Sequence, residues 1–156
     1  MSRICLGAVL VVLGIATLEA KPKHCVFRVH TEANPQDTAV FSNSVRAQFS
    51  GKPIAIEKLP RISEYDVEAF LPFPVGKNNY GVLFQLDEHG RLALDALSVE
   101  RRGGVLFVFI NARPITELQI DKRVTDGQIY IASGLTAADI ELMKKDWRII
   151  GERKRR

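Results

Sequence analysis

The chain has 156 residues, 46% of them apolar, and a formal charge of +4. That length suits one ordinary domain, and the composition excludes a mainly disordered chain and a multi-span membrane protein. From Lys21 to Trp147 there are 16 Lys and Arg against 16 Asp and Glu, so the excess lies wholly in Arg148 to Arg156. A globular nucleic-acid binder carries basic charge on its folded face, and this neutral body excludes that class.

The first segment reads as an export signal. Met1-Ser2-Arg3 is a short basic start, and Ile4 to Leu18 is an uncharged apolar run of fifteen residues. Lys21-Pro22-Lys23 follows at once. A membrane-spanning helix needs nearer ~20 apolar residues, so the run is short for a permanent anchor. Small residues at Gly14 and Ala16 fit cleavage after Ala16, and a second site follows Ala20. Residues 1–20 are assigned to the signal, 25–147 to a single domain and 148–156 to a basic tail. Export places the chain in the periplasm or outside the cell, an uncleaved anchor being the minor alternative. Cys5 leaves with the signal, and Cys25 then stands alone as a partly buried thiol at the start of a strand.

Val26 to Thr31 reads as a strand, and Asn34-Pro35-Gln36-Asp37 as a turn. Strands follow over Thr38 to Val45 and Pro53 to Lys58. Ser63 caps a short helix beginning Glu64-Tyr65-Asp66. Phe70-Leu71-Pro72-Phe73-Pro74 cannot continue a helix, because each proline lacks a donor, and it reads as a buried connection. Tyr80 to Leu86 is strand-like. Asp87 caps a helix running to about Arg101, with Leu92, Ala93, Leu94, Ala96 and Leu97 toward the core. Gly103-Gly104 stops it, and Val105 to Ile110 is apolar on both faces, as a central strand is. Asn111-Ala112 sits where a two-residue hairpin turn belongs, and Ile115 to Val124 alternates as its return strand. Asp126-Gly127 signals a further hairpin into the strand around Ile129, Tyr130 and Ile131. Thr136 and Asp139 form a capping box for a last helix that turns Ile140, Met143 and Trp147 to one side. The order predicts an α+β fold, one mostly antiparallel sheet packed with two main helices.

Val82 to Met143 resembles the head subdomain of the first periplasmic domain of the SecD protein-export family. The strand Val82 to Asp87 with Gly90, then Ser98 where threonine is usual, then Gly104 to Asn111, follow the family's order. Ile120, Val124 and Gly127 match its spaced apolar stretch, and Ile129, Ile131, Gly134 and Leu135-Thr136 its closing strand and helix cap. Three features depart from it. Ala112 stands where glycine is usual, no proline lies near Leu118, and Arg148-Ile149-Ile150-Gly151 replaces a Gly-x-Leu-Pro stretch. The family's membrane helices are not in this sequence, so proton-driven transport does not carry over. The resemblance implies an exported, non-catalytic module that contacts polypeptide.

The residues themselves hold no catalytic constellation. His24, His30 and His89 have no partner at metal-ligand spacing, no nucleophile elbow or phosphate loop occurs, and no metal or organic cofactor is expected. A dyad of Cys25 with His30 fails because five residues along a strand point to opposite faces. His89 and the carboxylates Asp66, Glu68, Asp87 and Glu88 read as solvated surface and helix-start charge. Two candidate contact regions remain. Phe70, Leu71 and Phe73 offer apolar surface to a partner polypeptide in the cell envelope. Arg153, Lys154, Arg155 and Arg156 offer charge to anionic lipid, as a surface tether, against their reading as a frayed, solvated terminus. A secreted hydrolase of unrecognised type is the third alternative.

Overall fold

The computed structural model describes residues 23–34, 36 and 40–152. The signal segment and Arg153 to Arg156 lie outside these residues, as do Pro35 and Asp37 to Ala39. The chain is α+β and mostly antiparallel with two main helices, as its patterning predicts. Its strands divide between two four-stranded sheets and a two-stranded ribbon, rather than forming one sheet.

The first sheet runs in the order β4 (Ile62–Ser63), β1 (Phe27–Thr31), β7 (Val105–Ile110), β8 (Arg113–Gln119). β7 pairs on both edges, and both its faces are covered, Leu106, Val108 and Ile110 by the core and Phe107 and Phe109 by the ribbon side, which is why it is apolar throughout. The second sheet runs β10 (Arg148–Ile149), β5 (Val67–Gly76), β6 (Asn79–Leu86), β9 (Gln128–Leu135). The ribbon pairs β2 (Ser42–Arg46) with β3 (Pro53–Glu57). The helices are α1 (Glu88–Glu100) and α2 (Ala137–Asp146).

Alternation along the strands turns one face of each sheet into a common core. Phe27, Val29, Leu106, Val108 and Ile110 come from the first sheet, and Phe70, Val82, Phe84, Ile129 and Ile131 from the second. The two meet at Phe27 and Phe84, whose ring centroids are 4.6 Å apart. Trp147 lies edge-on to Phe70 and Phe84. Leu94 and Leu97 of α1 and Ile140 and Met143 of α2 complete the core. Leu92 and Ala96 face outward instead. The core takes only the narrow stripe of α1 that includes Leu94, Leu97 and the Ser98 hydroxyl.

The caps form where the sequence places them. Asp87 accepts the Gly90 amide at 2.8 Å, and Thr136 and Asp139 bond reciprocally at the start of α2. Ser63 and Asp66 make the same box around a single 3₁₀ turn, Glu64–Asp66. The turn between β7 and β8 is the two-residue type, with φ of 51° at Asn111 and 62° at Ala112.

Three segments depart from the sequence reading. First, Phe70 to Pro74 is the middle of a ten-residue strand, not a connection. The Phe70 carbonyl accepts the Ile150 amide on the β10 side. By alternation Pro72 and Pro74 aim their donorless nitrogens at that same side, beyond the point where β10 ends, so neither costs a ladder hydrogen bond. Second, Asp126-Gly127 joins strands of different sheets, so it is no hairpin. β8 ends at Gln119, and the chain from Ile120 to Gly127 crosses between sheets along α1. Ile120 exchanges backbone bonds with Gly103 and Gly104, the Ser98 hydroxyl accepts the Val124 amide at 2.9 Å, and Arg123 grips Asp95 at 2.6 Å. Gly127 has φ 67° and a Cβ there would meet Arg91 at 2.9 Å. Third, the start of the basic tail is structured. Arg148–Ile149 pairs in parallel with Ala69 and Phe70, and Arg148 also bonds Glu68.

Candidate functional site

From Leu71 onward in β5, past the irregularity between Val67 and Ala69, odd-numbered residues turn away from the core. With Leu83 and Gln85 of β6 and the even-numbered residues Gln128 to Gly134 of β9 they make the outer face of the second sheet. Leu71 is 40% exposed and Tyr130 55%. The register sets Leu71 opposite Leu83, and Leu83 opposite Tyr130, so an apolar row crosses three strands. Phe73 lies over Gly81, its cross-strand partner, and stacks on Tyr130 with centroids 5.5 Å apart and planes 7° from parallel. Gly81 is what allows this. A Cβ there would stand 2.2 Å from the Phe73 ring and 2.5 Å from the Ala132 carbonyl. The bare glycine lets the ring lie flat across the sheet and reach the next strand. Of the three apolar residues singled out in sequence, Leu71 and Phe73 are on this face. Phe70 is fully buried in the core and is withdrawn as a contact residue. Leu83 and Tyr130 were not singled out, although their alternation with buried Val82, Phe84, Ile129 and Ile131 carries the signal. The basic residues Arg153 to Arg156 lie outside the described residues.

The outer face of the first sheet is roofed by the ribbon. Ala47, Ile56, Phe107 and His30 are buried beneath it, apart from the main core. The His30 Nδ1–H donates to the Glu57 carbonyl at 2.8 Å, and its ring meets Phe109 edge-on at 5.4 Å. Burial lowers the His30 pKa, so the ring is neutral at pH 7. Glu57 binds Arg61 and Arg101 and is held below its ordinary range, chiefly by the Arg61 hydrogen bond. Between roof and sheet lies an open cleft of about 810 Å³.

A third constellation gathers His24, Cys25 and Asp146. Asp146 accepts the Cys25 amide at 2.6 Å and contacts His24 Nδ1 at 2.8 Å. The Cys25 thiol is buried among the core residues. Desolvation, with Asp139, Asp146 and Glu64 nearby, pushes it up to about 12. A thiol kept protonated is a poor nucleophile. His30 lies on the other face of β1, under the ribbon, so the two form no dyad.

Asp66, Asp87 and His89 come within 4.8 Å of one another, a cluster the linear spacing hides. Asp66 is buried, contrary to its reading as solvated surface. Burial pushes its carboxyl up, but the Ser63 amide, His89 and the Ser63 hydroxyl outweigh that and hold it below the usual range. The same contact raises His89, whose side chain is exposed as expected. The acceptors here already serve the caps of the 3₁₀ turn and of α1.

No family model and no curated protein matches the sequence. Solved structures do resemble the fold. One is described as the structure and function of a membrane component, SecDF, that enhances protein export. It aligns with a TM-score of 0.54 at 15% identity, over 85% of this chain and 70% of that one. A crystal structure of SecDF in its super-membrane-facing form aligns with a TM-score of 0.54 at 13% identity, over 81% of this chain and 19% of that one. The chain therefore has a SecD-like α+β fold. No helix among the described residues is long and apolar enough to cross a membrane.

Proposed function

We propose that this chain is an exported, non-catalytic module that binds polypeptide in the cell envelope. One observation carries the reading: the apolar row of Leu71, Leu83 and the stacked Phe73–Tyr130 pair on an open sheet face. Contiguous exposed apolar surface marks contact sites, and flat aromatic surface accepts many sequences at low ordering cost. The likeness to SecDF, a component that enhances protein export, supports the same direction. The basic start and the apolar run of residues 4–18 support export. The high Cys25 pKa and the capping duties of the Asp66 cluster support a non-catalytic role.

The test is titration of the protein with a reduced, carboxymethylated, permanently unfolded polypeptide, followed by fluorescence anisotropy. Leu71→Ser and Tyr130→Ser should each weaken binding at least fivefold with an unchanged urea midpoint. Binding by the apolar face persists in high salt, whereas attachment through the basic tail fades. Equal binding by wild type and both variants would refute the assignment of this face.

A further inference from the structure

We infer that the cleft beneath the β2–β3 ribbon is a second binding site, selective for a short polypeptide segment that carries a carboxylate among apolar side chains. It goes beyond the sheet-face reading, because it uses the outer face of the other sheet. Alternation puts Asn43 and Val45 of β2 and Ile56 of β3 on the inner face of the ribbon, and Lys58, one residue past β3, lines the same cleft. Opposite them are Arg28 and Phe109 of the first sheet. The volume, about 810 Å³, falls among ordinary ligand sites of ~300–1,000 Å³.

Its charge gives the selectivity. Arg28 lines the sheet wall and Lys58 the ribbon wall, and no described lining residue is Asp or Glu. Glu32, bridged to Ile56 at the ribbon, is solvent-exposed and outside the lining, and two further carboxylates are engaged elsewhere or barely reach. Glu57 is taken by Arg61 and Arg101 at 2.7 and 2.9 Å. Glu64 approaches only the Nε of Arg28, at 4.0 Å, leaving that guanidinium's outer nitrogens uncommitted. The side chains of Lys58 and Asn43 make no ion pair or hydrogen bond among the described residues. One cation from each wall suits a single carboxylate between them, while Val45, Ile56 and Phe109 suit its apolar neighbours. Desolvation in the cleft strengthens that attraction and penalises a cationic segment. The walls are held apart in advance. His30 ties the sheet to the ribbon through the Glu57 carbonyl, and Gln48 anchors the ribbon's loop to the Pro114 carbonyl at 2.9 Å and to Glu117. A preformed site loses little entropy on binding.

The experiment uses fluorescein-labelled octapeptides that alternate leucine with glutamate, glutamine or lysine, titrated into the full chain at 50 mM salt. The glutamate peptide should bind at least tenfold tighter than the glutamine peptide, and the lysine peptide should bind weakest. Lys58→Glu and Arg28→Glu should each cost at least tenfold with unchanged circular dichroism, and Lys58→Gln should cost less. Tyr130→Ser should leave this affinity intact, which separates the cleft from the sheet face. Equal affinity for the glutamate and glutamine peptides would overturn the inference. So would loss in Tyr130→Ser but not in Lys58→Glu, or displacement of the peptide by phosphatidylglycerol vesicles at lower concentration than by unlabelled peptide.

Discussion

Ala112 holds an L-residue at φ 62° beside Asn111 at 51°. Asparagine visits that region readily, while the Cβ of alanine crowds the following carbonyl oxygen. Ala112→Gly relieves the crowding but frees the unfolded chain, so a net gain of about 0.5–1 kcal/mol is expected. A higher urea midpoint at unchanged slope is the readout. Asn111 stays, because its carbonyl oxygen accepts the Val26 amide at 3.0 Å and its amide reaches Asp139 at 3.2 Å. Asp139 is the other pivotal residue here. Burial pushes its carboxyl up, but the Thr136 amide, Arg113 and the Thr136 hydroxyl outweigh burial and lower it overall. A folded value below the unfolded one gives stability that is present above about pH 4 and lost as pH falls through the folded value. Asp139→Asn should cost about 1–3 kcal/mol at pH 7, and the gap to wild type should close in acid. Urea midpoints at pH 7 and pH 2.5 measure both. Capping residues such as Asp87 and Thr136 were legible in sequence because their chemistry is local. The outward turn of Leu92 and Ala96 was not, since it depends on how wide a stripe the sheets can cover.

At the scale of elements, the strands with regular alternation were readable, and β5 was not. Its prolines break the usual strand signature, yet both point to an edge where no donor is needed. The same geometry blocks that edge against pairing with another chain. Replacing both with threonine restores two outward amides, so Pro72→Thr with Pro74→Thr should associate with rising concentration where the wild type does not. Light scattering after gel filtration checks this, and an unchanged mass would contradict it. The hairpin expected at Asp126-Gly127 failed for a related reason. Its glycine does adopt positive φ, but the pairing partner is decided by the contacts of Arg91, Asp95 and Ser98 with the crossing segment, which lie 26 to 34 residues away in sequence.

For the whole molecule, the order of strands and helices predicted the α+β class, and the SecD-like order of its second half was visible in glycines and turns. The division into two sheets around one core was hidden, because it follows from the crossing after Ile120. The apolar outer face was half legible: Leu71 and Phe73 stand out beside prolines, while Leu83 and Tyr130 join them only through register. Export predicts that the mature protein lacks at least residues 1–16 by intact mass. The central claim is that the outer face of β5, β6 and β9 receives polypeptide. Amide and methyl NMR of the labelled protein, titrated with an unlabelled unfolded chain, tests it most directly. Shift changes centred on Leu71, Phe73, Leu83 and Tyr130, and lost in Tyr130→Ser, are the predicted result. A spectrum in which those signals stay fixed while the chain binds elsewhere, or in which nothing moves, would contradict it.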